Sequence, residues 1–264
     1  MTAPMFENKA KKKLAANQLV LSMGVNQMRS AEIGMIVAAC GFDAIYVDLE
    51  HAPTSLETAS DICVAALNAG ITPLARVSSQ NPHHYARILD TGAQGVMVPH
   101  IETAAEAAAI VRNCKFPPVG HRSAFGTGPT LGYRPMPQGE VNKFLNDNVL
   151  LMAMLETPGA VENADAIAAV PGIDVVHIGS LDVSNEMGIP AAYNDPRMRA
   201  VFEKVAKACK KHGKAMGVGG ARNDLKLQTW LIELGVRYLT AGSDISYMMT
   251  AARSEAAALR AIKT

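Results

Sequence analysis

The stretch Ala44-Ile-Tyr-Val-Asp-Leu-Glu-His51 turns from strand-like apolar character to three ionisable side chains, Asp48, Glu50 and His51, within four positions. Buried parallel strands read as near-continuous hydrophobic runs, and helix-covered sheets collect their ligands beyond the carboxyl ends of the strands. Histidine titrates near neutrality, so His51, oriented by Asp48 or Glu50, is suited to act as a general base. Other apolar runs stop in polar groups too: one in Arg76, one in Pro99-His100, one in Glu156, one in Gly179-Ser180-Leu181-Asp182 and one in Ser243-Asp244. Glu156 and Asp182 are hard oxygen donors on neighbouring runs, with no cysteine or second histidine at zinc spacing. That donor set suits Mg²⁺ or Mn²⁺, with Co²⁺ a further candidate. Arg76 supplies a fixed positive charge for a developing oxyanion. A metal, an arginine and a histidine base together describe enolate chemistry on a small 2-oxo acid. No lysine ends a strand, since Lys214 begins one, and this speaks against a Schiff-base aldolase.

A single aspartate after a strand is more often a helix cap than a ligand. The weight lies in the convergence, which requires elements that bring all these ends to one face. Strand-like runs fall at about 19–23, 44–49, 72–77, 95–98, 149–155, 175–178, 214–218 and 237–240. Between them lie helical patterns at about 30–40, 56–68, 82–89, 104–112, 160–169, 197–211, 224–234 and 245–262. Thr103 with Glu106 has capping-box spacing. Gly41, Gly70, Gly92, Gly213 and Gly235 follow helices, where a left-handed cap favours glycine. Eight strand–helix alternations in a 264-residue chain predict a single-domain (β/α)₈ TIM barrel of the α/β class. A doubly wound open sheet is disfavoured because the first strand–helix turn, Gly24 to Ser30, carries no glycine-rich phosphate fingerprint.

At 49% hydrophobic residues the chain can bury a large core. Its net charge of +1 leaves no basic stripe for nucleic acid. The lysines at 9, 11, 12 and 13 read as the solvated face of a first helix rather than the start of a signal peptide. No apolar run approaches the ~18 residues of a membrane span. Cys40, Cys63, Cys114 and Cys209 form no Cys-x-x-Cys motif and read as reduced core cysteines of a cytoplasmic protein. The connection at about 113–148 is long and rich in proline and glycine; its His121, Arg122, Phe125 and Tyr133 suit a lid or a subunit contact. The 245–262 helix carries small and apolar residues on several faces, which predicts a homo-oligomer.

Several strings together resemble the HpcH/HpaI aldolase family, the metal-dependent class II 2-oxo acid aldolases of the citrate-lyase β-subunit superfamily. They are Asp48-Leu-Glu-His-Ala-Pro53, Ile88-Leu-Asp-Thr-Gly-Ala93 leading to Val98-Pro99, Pro117-Pro-Val-Gly-His-Arg122, Leu155-Glu-Thr157 and Gly172-Ile-Asp-Val-Val-His-Ile-Gly179. The resemblance implies a (β/α)₈ barrel that joins or cleaves a pyruvate-like enolate and an aldehyde. It implies Glu156 and Asp182 as metal ligands, His51 as base acting with Asp48, and Arg76 as the enolate's stabiliser. Asp90 becomes a partner for the active-site histidine of a neighbouring subunit or for the dyad's hydrogen bonds, Gly179, Ser180 and Leu181 line the substrate, and a hexamer is expected through the C-terminal helix. The chain departs from the pattern at Met154, where the family carries glutamine. Strand alternation sets Met152, Met154 and Glu156 on one side, so Met154 predicts an apolar pocket floor beneath the metal. Acyl-CoA lyase chemistry of the malyl-CoA kind and a non-catalytic binding barrel are the alternatives.

Overall fold

The computed structural model describes residues 5–262. Eight strands close a parallel barrel in chain order: β1 (Val20–Val25), β2 (Ala44–Asp48), β3 (Thr72–Arg76), β4 (Gly95–Val98), β5 (Leu150–Leu155), β6 (Val175–Gly179), β7 (Ala215–Gly219) and β8 (Val236–Ser243). The helices are α1 (Lys9–Ala15), α2 (Ile33–Ala39), α3 (Leu56–Ala69), α4 (Pro82–Asp90), α5 (Ala104–Cys114), α6 (Gln138–Asn148), α7 (Pro158–Glu162), α8 (Ala164–Ala168), α9 (Ser180–Glu186), α10 (Pro196–His212), α11 (Leu225–Leu234) and α12 (Asp244–Arg260). The expected (β/α)₈ barrel is the fold.

Strand burial follows from alternation within a sheet covered on both sides. In β5, Leu150, Met152 and Met154 point into the barrel with Tyr46, Leu74, Met97, Val175 and Tyr238. Leu151, Ala153 and Leu155 pack outward against the helices. Both faces are therefore apolar, which is why the strand reads as an unbroken hydrophobic run. The Thr103–Glu106 capping box forms as expected. The helix expected at 160–169 is two short helices, because Asn163 leaves the helical path and its side-chain amide donates to the Glu102 carbonyl at 2.8 Å.

The amino end of the barrel is closed by α1. Ala10 is buried against the barrel interior, and the Asn8 amide donates to the carbonyls of Gln94 and Asn148, each at 2.9 Å. Lys11 Nζ donates to the Val149 carbonyl at 2.6 Å and to Asp174 at 3.0 Å. Lys13 pairs with Asp43 at 2.7 Å. The lysine run is thus more than a solvated face: covering an open barrel end turns two of its members inward as partly buried anchors. The long connection also belongs to this end. It leaves α5 there and α6 ends there; the Thr130 carbonyl accepts the Phe6 N–H at 3.0 Å, and Asn146 holds the backbone of Phe116.

Cys63, Cys114 and Cys209 are buried and free, whereas Cys40 at the end of α2 is exposed, which corrects its reading as a core residue. Among the described residues no helix is long and apolar enough to cross a membrane. Beyond its first turn α12 leaves the barrel, with Met248, Met249, Leu259 and Ile262 exposed.

Candidate active site

The carboxyl ends of β2 and β3 lie side by side, with Asp48 opposite Arg76 in the register. Arg76 Nε donates to Asp48 Oδ1 at 3.0 Å and a terminal guanidinium nitrogen donates to Oδ2 at 2.6 Å. Asn26 Nδ2 adds a third donor, at 2.6 Å. Burial works to raise the Asp48 carboxyl. The Arg76 hydrogen bonds and charge, with the N–H groups of Glu50 and His51, outweigh it and hold the group below its ordinary range. Asn26 is in turn fixed by Asp244, a buried carboxylate that accepts the N–H groups of Asn26, Gln27 and Met28 at 3.0, 2.8 and 2.6 Å.

The clamp takes up both oxygens of the Asp48 carboxylate. Asp48 receives the backbone N–H of His51 at 3.3 Å, not its ring. The turn after β2 folds over Oδ1 in the manner of an Asx-turn, and the in-register arginine takes the remaining lone pairs. The His51 ring is exposed, its Nε2 3.7 Å from Glu50 Oε2. Glu50 is the shared neighbour: it lies 3.2 Å from Arg76, 3.7 Å from His51 and 3.4 Å from the ring of His100.

Glu156 follows β5 and is 2% exposed. Its Oε2 accepts the His100 N–H at 2.7 Å. Burial raises its carboxyl above the ordinary range; the His100 N–H and ring pull it down, and the negative charges of Glu50 and Asp182 push it up again. Asp182 stands in the first turn of α9, partly exposed. Among the described residues no group of three or more His, Cys, Asp or Glu side chains is arranged to hold a metal. Two carboxylates nonetheless fit Mg²⁺ or Mn²⁺, which keep several coordination positions for water and substrate oxygens. A buried carboxylate disfavoured by two neighbouring negative charges is also a place where a dication gives back the lost hydration. Gly179 leaves the room, since a Cβ there would lie 2.7 Å from Glu156 Cγ and 3.0 Å from Oε1.

Of the remaining expected residues, Ser180 is buried with an unpartnered hydroxyl and Leu181 is 48% exposed. Met154 is buried in the barrel interior, one alternation beneath Glu156 and paired in register with His177. Beside Met154 the buried His177 ring lies 5.8 Å from that of Tyr238, and its Nδ1 has no partner. Asp90 stands apart from these groups in its own chain. It ends α4, which runs back toward the amino end, and pairs there with Arg122 at 2.5 Å. Glu50, expected as one of the two carboxylates able to orient His51, joins the cluster, while His100, Asn26 and Asp244 complete it from outside the residues that the sequence reading placed in the site. His100 and Asp244 were visible only as polar strand ends, indistinguishable there from caps.

A family model described as HpcH/HpaI aldolase/citrate lyase matches residues 25–249. A 4-hydroxy-4-methyl-2-oxoglutarate aldolase of Chaetomium globosum is 40% identical over 95% of this chain and 94% of its own. A 4-hydroxy-2-oxo-heptane-1,7-dioate aldolase of Escherichia coli is 32% identical over 96% and 95%. The crystal structure of an HpcH/HpaI aldolase from Desulfitobacterium hafniense superposes with a TM-score of 0.92 at 31% identity, covering 97% of this chain and 98% of that one. The chain belongs to the HpcH/HpaI aldolase/citrate lyase family and is a carbon–carbon lyase of the 2-oxo acid aldolase type.

Proposed function

We propose that this aldolase cleaves, and in reverse forms, 4-hydroxy-2-oxo dicarboxylic acids, with a divalent Mg²⁺ or Mn²⁺ held by Glu156 and Asp182. The observation that carries the reading is the joining of the Arg76 clamp to the buried Glu156 carboxylate through Glu50 and His100, at separations of 3.2, 3.4 and 3.2 Å. When bound, the ion supplies a Lewis acid for the carboxylate and keto oxygens of the substrate. Arg76, oriented by Asp48, faces the oxygen on which charge grows as the C3–C4 bond breaks and its electron pair becomes the pyruvate enolate. His51, oriented by Glu50, takes the proton of the C4 hydroxyl, whose oxygen becomes the carbonyl of the departing fragment, and later returns a proton to enolate C3. Gly179, Ser180 and Leu181 line the substrate, and Met154 lies under it.

The dicarboxylate class rests on what the relatives' names share, since 4-hydroxy-4-methyl-2-oxoglutarate and 4-hydroxy-2-oxo-heptane-1,7-dioate are both 4-hydroxy-2-oxo diacids. The test is pyruvate release from 4-hydroxy-4-methyl-2-oxoglutarate, coupled to lactate dehydrogenase. Release with Mn²⁺ that stops in excess chelator is the expected result; full activity in chelator would remove the metal from the reaction.

A second copy of the chain is the partner we assign to the exposed apolar side of α12, and through it to the neighbouring-subunit role of Asp90. Light scattering at micromolar concentration should return a mass above that of one chain, with a hexamer as the expected assembly. The free cysteines support a reducing, cytoplasmic setting.

A further inference from the structure

His100 follows the carboxyl end of β4 in the left-handed backbone region, with φ of +53°. Non-glycine residues seldom adopt this conformation, and where one persists its surroundings must hold it. Here they do so from three directions. The Gln80 side-chain amide donates to the His100 carbonyl at 2.7 Å. Ile101 N–H donates to the Met154 carbonyl at 3.0 Å. The His100 N–H itself points at Glu156 Oε2, at 2.7 Å. The ring then meets two carboxylates, Nδ1 at 3.2 Å from that same Oε2 and Nε2 at 3.4 Å from Glu50 Oε1. The ring is 62% exposed at the mouth, so core filling does not account for it.

The two oxygens of Glu156 therefore have different surroundings. Oε2 is committed to His100, while Oε1 lies on the β6 side, where the Cβ that Gly179 lacks would stand 3.0 Å from it. Asp182 follows Gly179 by three residues.

We propose that His100 is a positioning residue that divides the Glu156 carboxylate, holding Oε2 so that Oε1 alone is presented toward Asp182 and the divalent ion, and tying that carboxylate through Glu50 to the Arg76 clamp. The proposal rests on the metal-dependent aldolase reading. Groups that orient a metal ligand without touching the ion typically alter affinity or activity by about 10- to 100-fold when removed.

The test is Mn²⁺ titration of the full-length protein without substrate, followed by electron paramagnetic resonance, together with thermal melting. His100→Gly keeps the N–H bond and tolerates the backbone angle while removing the ring. It should bind Mn²⁺ about 10- to 100-fold more weakly, with a melting temperature close to that of the wild type. His100→Asn, a residue that also accepts the left-handed region and carries a side-chain amide donor, should recover part of the affinity. A crystal structure with Mn²⁺ should show Glu156 bound through Oε1 alone. Wild-type Mn²⁺ affinity in both variants, or ligation through Oε2, overturns the proposal while leaving metal dependence intact. Absence of Mn²⁺ binding by the wild-type protein removes the underlying metal-dependent reading and this inference with it.

Discussion

Arg76 and Asp48 form a two-point contact at the floor of the barrel mouth, Nε to Oδ1 at 3.0 Å and a terminal nitrogen to Oδ2 at 2.6 Å, and the Asp48 side chain is fully buried. The paired geometry fixes the plane of the guanidinium, which a single contact would not do. It leaves another guanidinium nitrogen beside Glu50 at 3.2 Å. Asp48 thus orients the arginine, while the carboxylate beside the His51 ring is Glu50, at 3.7 Å.

Asp48→Asn should expose that dependence. It removes the two-point partner of a largely buried arginine and leaves Glu50, 3.2 Å away, as its remaining counter-charge, so the stability loss should fall below the roughly 3–5 kcal/mol typical of a buried charge left unpaired. Loss of one positioned oxyanion donor costs on the order of 10²–10³ in rate, and kcat/KM for cleavage should fall by that factor. Arg76→Lys should fall comparably, because an ammonium cannot reproduce the guanidinium fork. Steady-state kinetics and urea unfolding of both variants check the pair; wild-type kcat in Asp48→Asn would show that the clamp does not matter for turnover.

Gly179→Ala tests the space around Glu156. The added methyl would sit 2.7 Å from Glu156 Cγ and 3.0 Å from Oε1, closer than packed atoms tolerate, so the carboxylate must move. Mn²⁺ affinity should drop by at least about 10-fold, in keeping with displacement of a ligand's supporting contacts, with little change in the circular dichroism spectrum. Unaltered affinity would mean that Glu156 does not hold the ion in the orientation seen here.

His177 gives the protein a pH-dependent stability. Its ring lies against Gly217 and Gly219 in the barrel interior. Burial first, and the charge of Arg76 second, lower its pKa from 6.5 to about 3. Between those values the unfolded chain binds a proton that the native state refuses. Stability is therefore fully present above the unfolded pKa and is lost as pH falls toward about 3, by ~1.4 kcal/mol per pH unit for this one group. His177→Phe should flatten the slope of denaturant stability against pH between 6 and 4. A slope unchanged by the substitution would assign the acid sensitivity to other groups.

Met154 reports on specificity. It is buried one alternation beneath Glu156 and beside His177. A thioether accepts hydrogen bonds only weakly and donates none. Met154→Gln adds an amide to a floor that already contains an unpartnered imidazole nitrogen. Relative kcat/KM should shift toward hydroxylated partners by a few-fold to about tenfold, the scale of one hydrogen bond of ~1 kcal/mol. Constant ratios across a panel of aldehydes and oxo acids would leave Met154 as interior packing.

The barrel was legible from the chain alone because period and punctuation are local properties. The apolar run of β5, the Thr103–Glu106 box and the glycines at 41, 70, 92, 213 and 235 each act over a few residues, and all are found where expected, the glycines with positive φ. The candidate metal ligands were legible for the same reason: in a parallel barrel every strand's carboxyl end reaches one face, so Glu156 and Asp182 meet wherever the alternation holds. Partnership among the converging groups was not legible. Asp48 pairs with Arg76 because of the β2–β3 register, a contact between residues 28 positions apart. His100 reaches Glu156 through a left-handed backbone angle that Gln80 and Met154 hold in place, and no residue type announces such an angle. Asp90 carries a motif-like signal, yet α4 delivers it to the opposite end of its own barrel. Local periodicity determines which face a side chain occupies; only tertiary register decides which neighbour spends its hydrogen bonds.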